Sequence, residues 1–275
     1  MPFVPVDDPR DDRLIDYRNV PDPELLAGRG IFVAEGRLVV RRLLAGSRFA
    51  TRSVMVTDAA RAALEDVLSA RPELPAYVVP QALMTTITGF NIHRGCLAIG
   101  ERPEPDGWEA VATGAAASPA ARLVVLECVA NADNVGGIFR NAAAFGAAGV
   151  LLDPDTTDPL YRKAIRTSMG AALLVPFGRA LPWPEALHTL RAQGFAIVAM
   201  TPSPPAAALR DVAGAIGSRP AAIVLGHEGD GLSRGALEAC THRARIPITA
   251  GVDSLNVAAA AAIALYELSH RTWSA

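Results

Sequence analysis

Three segments of the chain place glycines and polar side chains where a predicted strand gives way to a predicted helix. They cover residues 131–140, 225–233 and 246–257. Glycine lets a ligand lie directly on the backbone, and the first N–H groups of a helix have no partner within it. Those N–H groups also attract negative charge, so segments of this kind suit the binding of small charged ligands.

Several side chains in these segments have both a chemical and a structural interpretation. Arg140 lies one turn into a predicted helix and can face a ligand, or the segment is an Asx turn followed by a surface arginine. Glu228 can accept hydrogen bonds from a ligand, or it stabilises the positive end of the following helix. Ser254 alone is better explained as a helix cap, and His227 as a solvated loop residue. Taken singly, none of the three segments specifies a function.

The first segment also permits a different chemistry. A strand, a glycine-containing turn, a helix and a second strand ending in Asp153 form the outline of a dinucleotide-binding unit. Asp153 follows Gly136 by 17 residues, close to the spacing of about 20 in such units. The sequence NVGGIF lacks the G-x-G-x-x-G fingerprint, however, which disfavours a nicotinamide-dependent enzyme.

The elements that must position these segments alternate between short apolar strands and helices. Strands are predicted at 31–34, 53–56, 77–80, 96–99, 123–129, 149–152, 172–177, 195–200, 222–225 and 243–246. Helices are predicted at 37–44, 58–70, 137–145, 160–169, 183–192, 233–240 and 255–270, with Asp58 and either Asp253 or Ser254 as caps. This alternation predicts an α/β protein with a mostly parallel sheet covered on both faces.

Changes in composition divide the chain into four regions. Residues 1–28 contain seven acidic residues and three arginines among prolines, and we expect a loosely held acidic segment there. Residues 29–101 are predicted to form a small α/β domain. Residues 102–121, rich in Pro, Gly and Ala, are interpreted as a linker. The strand–helix alternation restarts at 122 and continues to the end of the sequence at 275.

The composition argues against several classes of protein. With 51% apolar and 20% charged residues the chain is too apolar for disorder, and its net charge of −2 gives no global basic field. Any nucleic-acid site must be a local patch built from arginine, because Lys163 is the only lysine. Three cysteines without close spacing argue against disulfides and a cysteine zinc site, so no metal is expected. No signal peptide or bilayer-spanning apolar run is recognised, which predicts a soluble cytoplasmic protein without a membrane partner.

Taken together, the three segments resemble the motifs of a known enzyme family. Asn134-x-Gly136-x-x-x-Arg140 is followed by Leu225-Gly226-x-Glu228-Gly229-x-Gly231-Leu232-Ser233, and then by Ile246-Pro247 with Ser254-Leu255-Asn256-Val257. In this order and spacing, over about 122–270, they resemble the SpoU (TrmH-like) RNA 2′-O-ribose methyltransferases of the SPOUT superfamily. One difference is that Asn131-Ala132 stands where the family's first motif usually has Asp-Pro.

The resemblance implies a fold and a cofactor. Residues 122–275 would form a C-terminal α/β-knot domain with a trefoil knot. A smaller ribosomal-protein-L30e-like α/β domain at 29–101 would precede it and bind the RNA substrate. S-adenosylmethionine would sit in the knot, and the active site would lie across a homodimer interface. The positions that match the family's cofactor contacts are Leu225, Gly226, Gly231, Ile246, Ile248 and Leu255.

The resemblance also implies a reaction, the 2′-O-methylation of a ribose in ribosomal RNA, with transfer RNA as the second choice. The residues that would carry it are Arg140, Asn134, Glu228, Ser254 and Asn256. Because guanidinium is essentially always protonated, we expect Arg140 to grip a phosphate and orient the hydroxyl rather than act as a base. A catalytically silent, knotted RNA-binding or ribosome assembly factor is the alternative.

RNA docking is expected to use local cations. Arg162, Lys163 and Arg166 lie at i, i+1 and i+4 on one predicted helix, where they form either a phosphate-contacting strip or a solvated face. Arg94, in the N-terminal domain, is a further candidate.

Overall fold

The structure, a computed structural model, describes residues 3–18, 21–89, 92, 94–103, 107–249, 251 and 253–269. Its strands are β1 (Phe3–Pro5), β2 (Ile31–Glu35), β3 (Thr51–Val56), β4 (Ala76–Val78), β5 (Cys96–Glu101), β6 (Arg122–Leu126), β7 (Gly149–Leu152), β8 (Phe177–Arg179), β9 (Ala196–Met200), β10 (Ala207–Ala208), β11 (Ala221–Leu225) and β12 (His242–Arg245). Its helices are α1 (Arg37–Gly46), α2 (Asp58–Ala63), α3 (Glu65–Ser69), α4 (Gln81–Thr88), α5 (Trp108–Ala116), α6 (Ala132–Ala144), α7 (Arg162–Thr167), α8 (Glu185–Ala192), α9 (Leu209–Ile216), α10 (Arg234–Ala239) and α11 (Val257–Ser269). The chain divides into two compact units, Met1–Glu104 with Pro159–Leu174, and Pro105–Asp158 with Val175–Ala275.

The first unit is built on a mixed five-stranded sheet in the order β1-β4-β3-β5-β2. β5 runs antiparallel to β2 and β3, whereas β4 runs parallel to β1 and β3. Strands β2 to β5 lie where the sequence predicts strands. The predicted helix over 58–70 is instead two short helices, α2 and α3, separated at Leu64, and its cap is Thr57 rather than Asp58.

The N-terminal segment is packed into this first unit, so the expectation of a loosely held region at 1–28 is wrong for the residues described there. β1 pairs in parallel with β4, and Leu14 and Leu25 are buried in the core. The hydroxyl of buried Tyr17 lies 2.7 Å from Ser53 Oγ, within hydrogen-bond distance. The apolar residues between the acids were the overlooked signal, since a few buried side chains suffice to hold a segment in place.

The second unit contains a seven-stranded sheet in the order β10-β12-β9-β11-β6-β7-β8, and every pairing described in it is parallel. β6 and β11 are buried along their whole length, as expected for central strands covered on both faces. This confirms the predicted α/β class and parallel sheet. None of the helices in the described part of the chain is long and apolar enough to span a bilayer.

Several predicted boundaries in the second half of the chain need correction. The expected linker at 102–121 contains α5, whose Trp108 is buried and donates from Nε1 to the Leu181 carbonyl (3.0 Å). The strand predicted at 172–177 begins only at Phe177, because 171–173 form a 3-10 turn. The last helix begins at Val257 rather than 255. Its cap is Asn256, whose Oδ1 accepts from the N–H groups of Ala258 and Ala259 at 3.0 and 3.2 Å, and not Asp253 or Ser254.

A buried arginine fixes the far end of this last helix. Arg122, at the start of β6, is 3% exposed and has no carboxylate partner among the residues described. Its guanidinium donates to the carbonyl of Leu268 at 2.9 Å, and to those of Ala120, Ala121 and Arg219 at 3.0 Å each. Burial lowers the pKa of Arg122, but an arginine side chain stays protonated even inside a protein. A cation at the carboxyl end of α11 also interacts favourably with the helix dipole.

We predict that Arg122→Gln lowers the free energy of unfolding by about 2–4 kcal/mol, because two buried and two partly buried carbonyl oxygens lose a charged donor. Arg234→Gln is the control, since exposed Arg234 only pairs with Glu238 on the surface of α10, and it should leave the stability nearly unchanged. Urea unfolding followed by circular dichroism measures both. Equal stabilities of the two variants would contradict the anchoring role of Arg122.

Candidate active site

A cavity of about 350 Å³ lies where three neighbouring parallel strands, β12, β9 and β11, reach their carboxyl ends. In open α/β sheets this edge is the usual location of a ligand site. The cavity brings together the predicted segments at 225–233 and 246–257, and all six positions predicted to contact a cofactor line its wall. The lining residues are Met200, Thr201, Pro202, Leu225, Gly226, His227, Glu228, Gly229, Gly231, Ala244, Arg245, Ile246, Ile248, Asp253, Ser254, Leu255, Val257 and Ala260.

The loop after β11 is a tight turn whose shape depends on glycine. His227 and Gly231 exchange two backbone hydrogen bonds of 3.1 Å, and Gly231 has a φ of +71°. A Cβ on Gly226 would lie 2.5 Å from the carbonyl carbon and oxygen of Gly231, so no other residue fits without a backbone shift. His227 Nδ1 accepts from the N–H groups of Gly229 and Asp230 at 3.0 and 3.2 Å. His227 therefore shapes the turn and is not available at Nδ1 as a base.

Three polar residues from distant parts of the chain meet at one end of the cavity, and we call them the amide–carboxylate cluster: Asn134, Glu228 and Asn256. Glu228 Oε1 accepts from Asn134 Nδ2 at 2.5 Å and from Asn256 Nδ2 at 3.2 Å. Asn256 Nδ2 also donates to Asn134 Oδ1 at 2.9 Å. Each member comes from a different predicted segment, so the cluster ties α6, the loop after β11 and the start of α11 together. Ser254 lines the cavity but is exposed and lies outside the cluster.

A second carboxylate, for which no sequence motif predicts a role, is hydrogen-bonded to the loop after β11. Glu127 is 3% exposed, and its Oε1 accepts from Trp183 Nε1 and Ser233 Oγ at 2.7 Å each. Its Oε2 accepts from the Ser233 N–H at 2.8 Å, while its own N–H donates to the Leu225 carbonyl at 2.9 Å. Glu127 thus contacts both ends of the loop. The available signal was an acid within the otherwise apolar run predicted as a strand at 123–129, because a buried carboxylate requires donors around it.

The first predicted segment is largely helical, since α6 begins at Ala132 rather than at Gly137. Asn131 is its cap, and its side chain accepts from the Asp133 N–H at 2.9 Å. Asn131-Ala132, which stands where the family usually has Asp-Pro, therefore begins a helix with an ordinary cap. Gly137 serves helix packing rather than ligand binding, because a Cβ there would lie 3.0 Å from Ala258 Cβ on α11. Asn141 adds a hydrogen bond from Nδ2 to the Ala258 carbonyl at 2.7 Å.

Arg140 is exposed and does not line the cavity of its own chain. It follows Asn134 by six residues on α6, which places it about 9 Å further along the helix and about 120° around its axis. The structure therefore brings four of the five predicted catalytic residues to the cavity or its cluster, but not Arg140.

Another polar group near the sheet edge is formed by Cys128, Asp153 and the exposed Asp155, and two of its members, Cys128 and Asp153, are hydrogen-bonded to each other. The Cys128 thiol donates to Asp153 Oδ2 at 3.4 Å, and Asp153 Oδ1 accepts from the Thr156 N–H at 2.7 Å. Burial, together with the Asp153 hydrogen bond, raises the pKa of Cys128 to about 11, so the thiol is protonated at neutral pH. Asp153 is 1% exposed and shapes a turn, which leaves it unsuited to hold a ribose in the nicotinamide alternative.

The four cations predicted to bind RNA all lie in the first unit. α7 buries Ala164 and Ile165 and leaves Lys163 and Arg166 exposed, with Arg162 half-buried. Arg166 Nη1 lies 3.7 Å from Glu35 Oε2, so part of its charge is compensated. Arg94 is exposed.

We predict that Gly226→Ala destabilises the protein by about 1–3 kcal/mol, because the added Cβ overlaps backbone atoms that cannot rotate away. Gly214→Ala is the matched control: Gly214 lies in α9, and a Cβ there meets no atom within 4 Å. That variant should be as stable as the parent or slightly more stable. Thermal and urea unfolding distinguish the two, and equal stability of both variants would show that the loop tolerates a side chain.

Comparisons with known proteins agree on one family. Residues 121–266 match the family model described as the SpoU rRNA Methylase family. An uncharacterised tRNA/rRNA methyltransferase of Mycobacterium bovis is 43% identical over 265 residues, which cover 94% of this chain and 89% of that protein. Among solved structures, the AdoMet-bound rRNA methyltransferase from Sinorhizobium meliloti has a TM-score of 0.82 at 24% identity, with 98% of each chain covered. An RNA 2′-O ribose methyltransferase has a TM-score of 0.74 at 24% identity, covering 98% of this chain and 99% of that one.

These solved structures share the fold of this chain. The family model spans more than half of the sequence and includes all three segments that contribute residues to the cavity or to the amide–carboxylate cluster. The chain therefore belongs to the SpoU family of RNA methylases.

Proposed function

We propose that this protein transfers a methyl group from S-adenosylmethionine to a ribose 2′-hydroxyl in ribosomal RNA, with transfer RNA as the second choice. The observation that carries the proposal is the convergence of two distant loops on one cavity with the amide–carboxylate cluster at its end. The names of similar proteins support it, since they include an rRNA methyltransferase, a tRNA/rRNA methyltransferase and an RNA 2′-O ribose methyltransferase.

The residues of the cavity fit S-adenosylmethionine. A volume of about 350 Å³ lies within the range of small-molecule sites, roughly 300–1,000 Å³. Ile248 and Leu255 are each 37% exposed there, which leaves apolar surface for an adenine ring to cover. The backbone at Gly226 is bare, and the carboxylates of Glu228 and Asp253 suit a ligand that carries a sulfonium charge. When bound, this cofactor supplies an electrophilic methyl group.

The side chains around the cavity have two further roles, which are to position the cofactor and the RNA and to stabilise charge that develops in the reaction. The amide–carboxylate cluster holds the two loops at a fixed separation, and Ser254 can hydrogen-bond to a ligand in the cavity. Arg140 grips the phosphate beside the target ribose with its bidentate fork and orients the 2′-hydroxyl, while its charge stabilises the developing alkoxide. A free-base arginine is too costly, so the proton leaves to another acceptor or to water.

Arg140 is away from the cavity of its own chain, which supports an active site shared across a homodimer, with Arg140 of one protomer serving the cavity of the other. Ile263 and Tyr266 on α11 are 39% and 47% exposed and offer apolar surface for such an interface. We further propose that the C-terminal part is tied in the trefoil knot of its family. The first unit would act as the L30e-like RNA-binding domain, with Arg94, Arg162, Lys163 and Arg166 as phosphate contacts.

The direct test is calorimetry with S-adenosylmethionine, followed by transfer of its labelled methyl group to total RNA from cells lacking the gene. We expect one cofactor per chain and label that survives as alkali-resistant dinucleotides, because a 2′-O-methyl group removes the nucleophile of RNA hydrolysis. Label in alkali-labile nucleotides would overturn the ribose assignment. Cofactor and RNA binding without transfer would favour the catalytically silent assembly factor.

We predict that Arg140→Lys reduces kcat by about 100-fold or more, because the charge is kept but the bidentate fork is lost. The affinity for S-adenosylmethionine should stay within about twofold of the parent, since Arg140 does not line the cavity of its own chain. Methyl-transfer kinetics and calorimetry measure the two effects. Near-parental turnover of the lysine variant would contradict the orienting role.

Mixed dimers test whether the site is shared. Arg140→Ala and Ala260→Phe, the latter filling the cavity, should each be inactive as homodimers. Co-expression of the two variants should restore activity, because one of the two sites in each mixed dimer then has both an open cavity and an arginine. Failure of isolated mixed dimers to regain activity would contradict a shared site.

A further inference from the structure

A second, shallower depression adjoins the cavity on the side of the sheet edge. It has a volume of about 740 Å³ and lies between the segment at 202–207 and strand β12. Pro202 and Arg245 line both the depression and the cavity, so the two are direct neighbours. We call it the β12 groove, and its lining residues are Pro202, Pro204, Pro205, Ala206, Ala207, Val212, His242, Arg243 and Arg245.

The β12 groove is cationic. No acidic side chain is among its lining residues, and neither Arg243 nor Arg245 forms an ion pair with any residue that the structure describes. Other arginines of the same unit are compensated, such as Arg210 by Glu267 and Arg179 by Asp158. Arg245 is fixed to the groove wall by a hydrogen bond from Nε to the Ala206 carbonyl at 3.2 Å.

The charge of the groove comes from its arginines rather than from its histidine. Burial and nearby Arg219 lower the pKa of His242, so this residue is neutral at pH 7. Two arginines therefore line the groove together with three prolines, Ala206, Ala207 and Val212. Guanidinium binds phosphate through parallel N–H donors, and the apolar wall can contact sugar rings without ordering flexible side chains.

We propose that the β12 groove binds the phosphodiester backbone of the RNA strand beside the nucleotide held at the cavity. The inference rests on the proposed function, because the groove can meet an RNA backbone only if RNA is the substrate bound at the neighbouring cavity. It differs from the expected contacts at Arg94 and on α7, which all belong to the first unit. A strand bound in the groove is held against the same unit that carries the cavity.

The test compares charge reversal in the groove with charge reversal elsewhere on the second unit. Arg243→Glu is the main variant, because Arg243 lines the groove and not the cavity, and Arg243→Glu/Arg245→Gln extends it. Arg191→Glu is the matched control, since Arg191 is an exposed arginine on α8 and lines neither depression. Fluorescence anisotropy with labelled oligouridylate gives the affinity and its salt dependence, and calorimetry gives the affinity for S-adenosylmethionine.

We expect Arg243→Glu to weaken oligouridylate binding at least about fivefold at 0.1 M salt and to reduce the slope of log K against log salt by about 0.7, the loss of one phosphate contact. Arg191→Glu should change neither value, and the cofactor affinity of Arg243→Glu should equal that of the parent. Unchanged RNA affinity and slope, or a loss confined to cofactor affinity, would overturn the proposal. If the parent protein bound no S-adenosylmethionine, the proposed function itself would fail, independently of the groove.

Discussion

The carboxylate of Glu228 accepts hydrogen bonds from Asn134 and Asn256, and through these two bonds three distant parts of the chain form one site. A hydrogen bond to a charged group contributes up to about 1.5–3 kcal/mol, and less where the groups are exposed to solvent, as Glu228 and Asn256 are. Asn256 also caps α11 through its Oδ1, so the residue that donates to Glu228 stands at the start of that helix. The amide–carboxylate cluster therefore links Glu228, which lines the cavity, to α6 and to the start of α11.

The parallel sheet of the second unit supplies the platform for this contact. Its central strands end side by side, so the loops after β9, β11 and β12 start from neighbouring points. Glu127 fixes the loop after β11 at both ends, and Arg122 anchors the opposite end of α11. Each of these buried charges is surrounded by donors or acceptors, which is the condition under which a protein interior accommodates a charged group. Arg94, Lys163 and Arg166, by contrast, are exposed to solvent, where we propose that they contact the RNA substrate.

Much of this architecture follows from the sequence, and the exceptions have physical causes. The parallel sheet was predictable from the alternation of apolar strands and helices. The cavity wall and the meeting of the second and third segments were predictable only from the resemblance to the SpoU motifs. The helix α5 was missed because alanines between Gly and Pro gave no amphipathic period, and the burial of Leu14 and Tyr17 because acids surround them. Glu127 could not be assigned, since its donors Trp183 and Ser233 are far away in sequence. Arg140 does not line the cavity of its own chain, and its proposed role in the cavity of a second protomer comes from the family resemblance, because no pattern within one chain shows how two chains meet.

The most direct measurement is a crystal structure of the protein with S-adenosylhomocysteine. We expect the ligand in the cavity against Gly226, Ile246 and Leu255, with the amide–carboxylate cluster intact and the partner subunit's Arg140 facing the sulfur. Ligand density outside this cavity, or two chains that hold Arg140 far from it, would contradict the account.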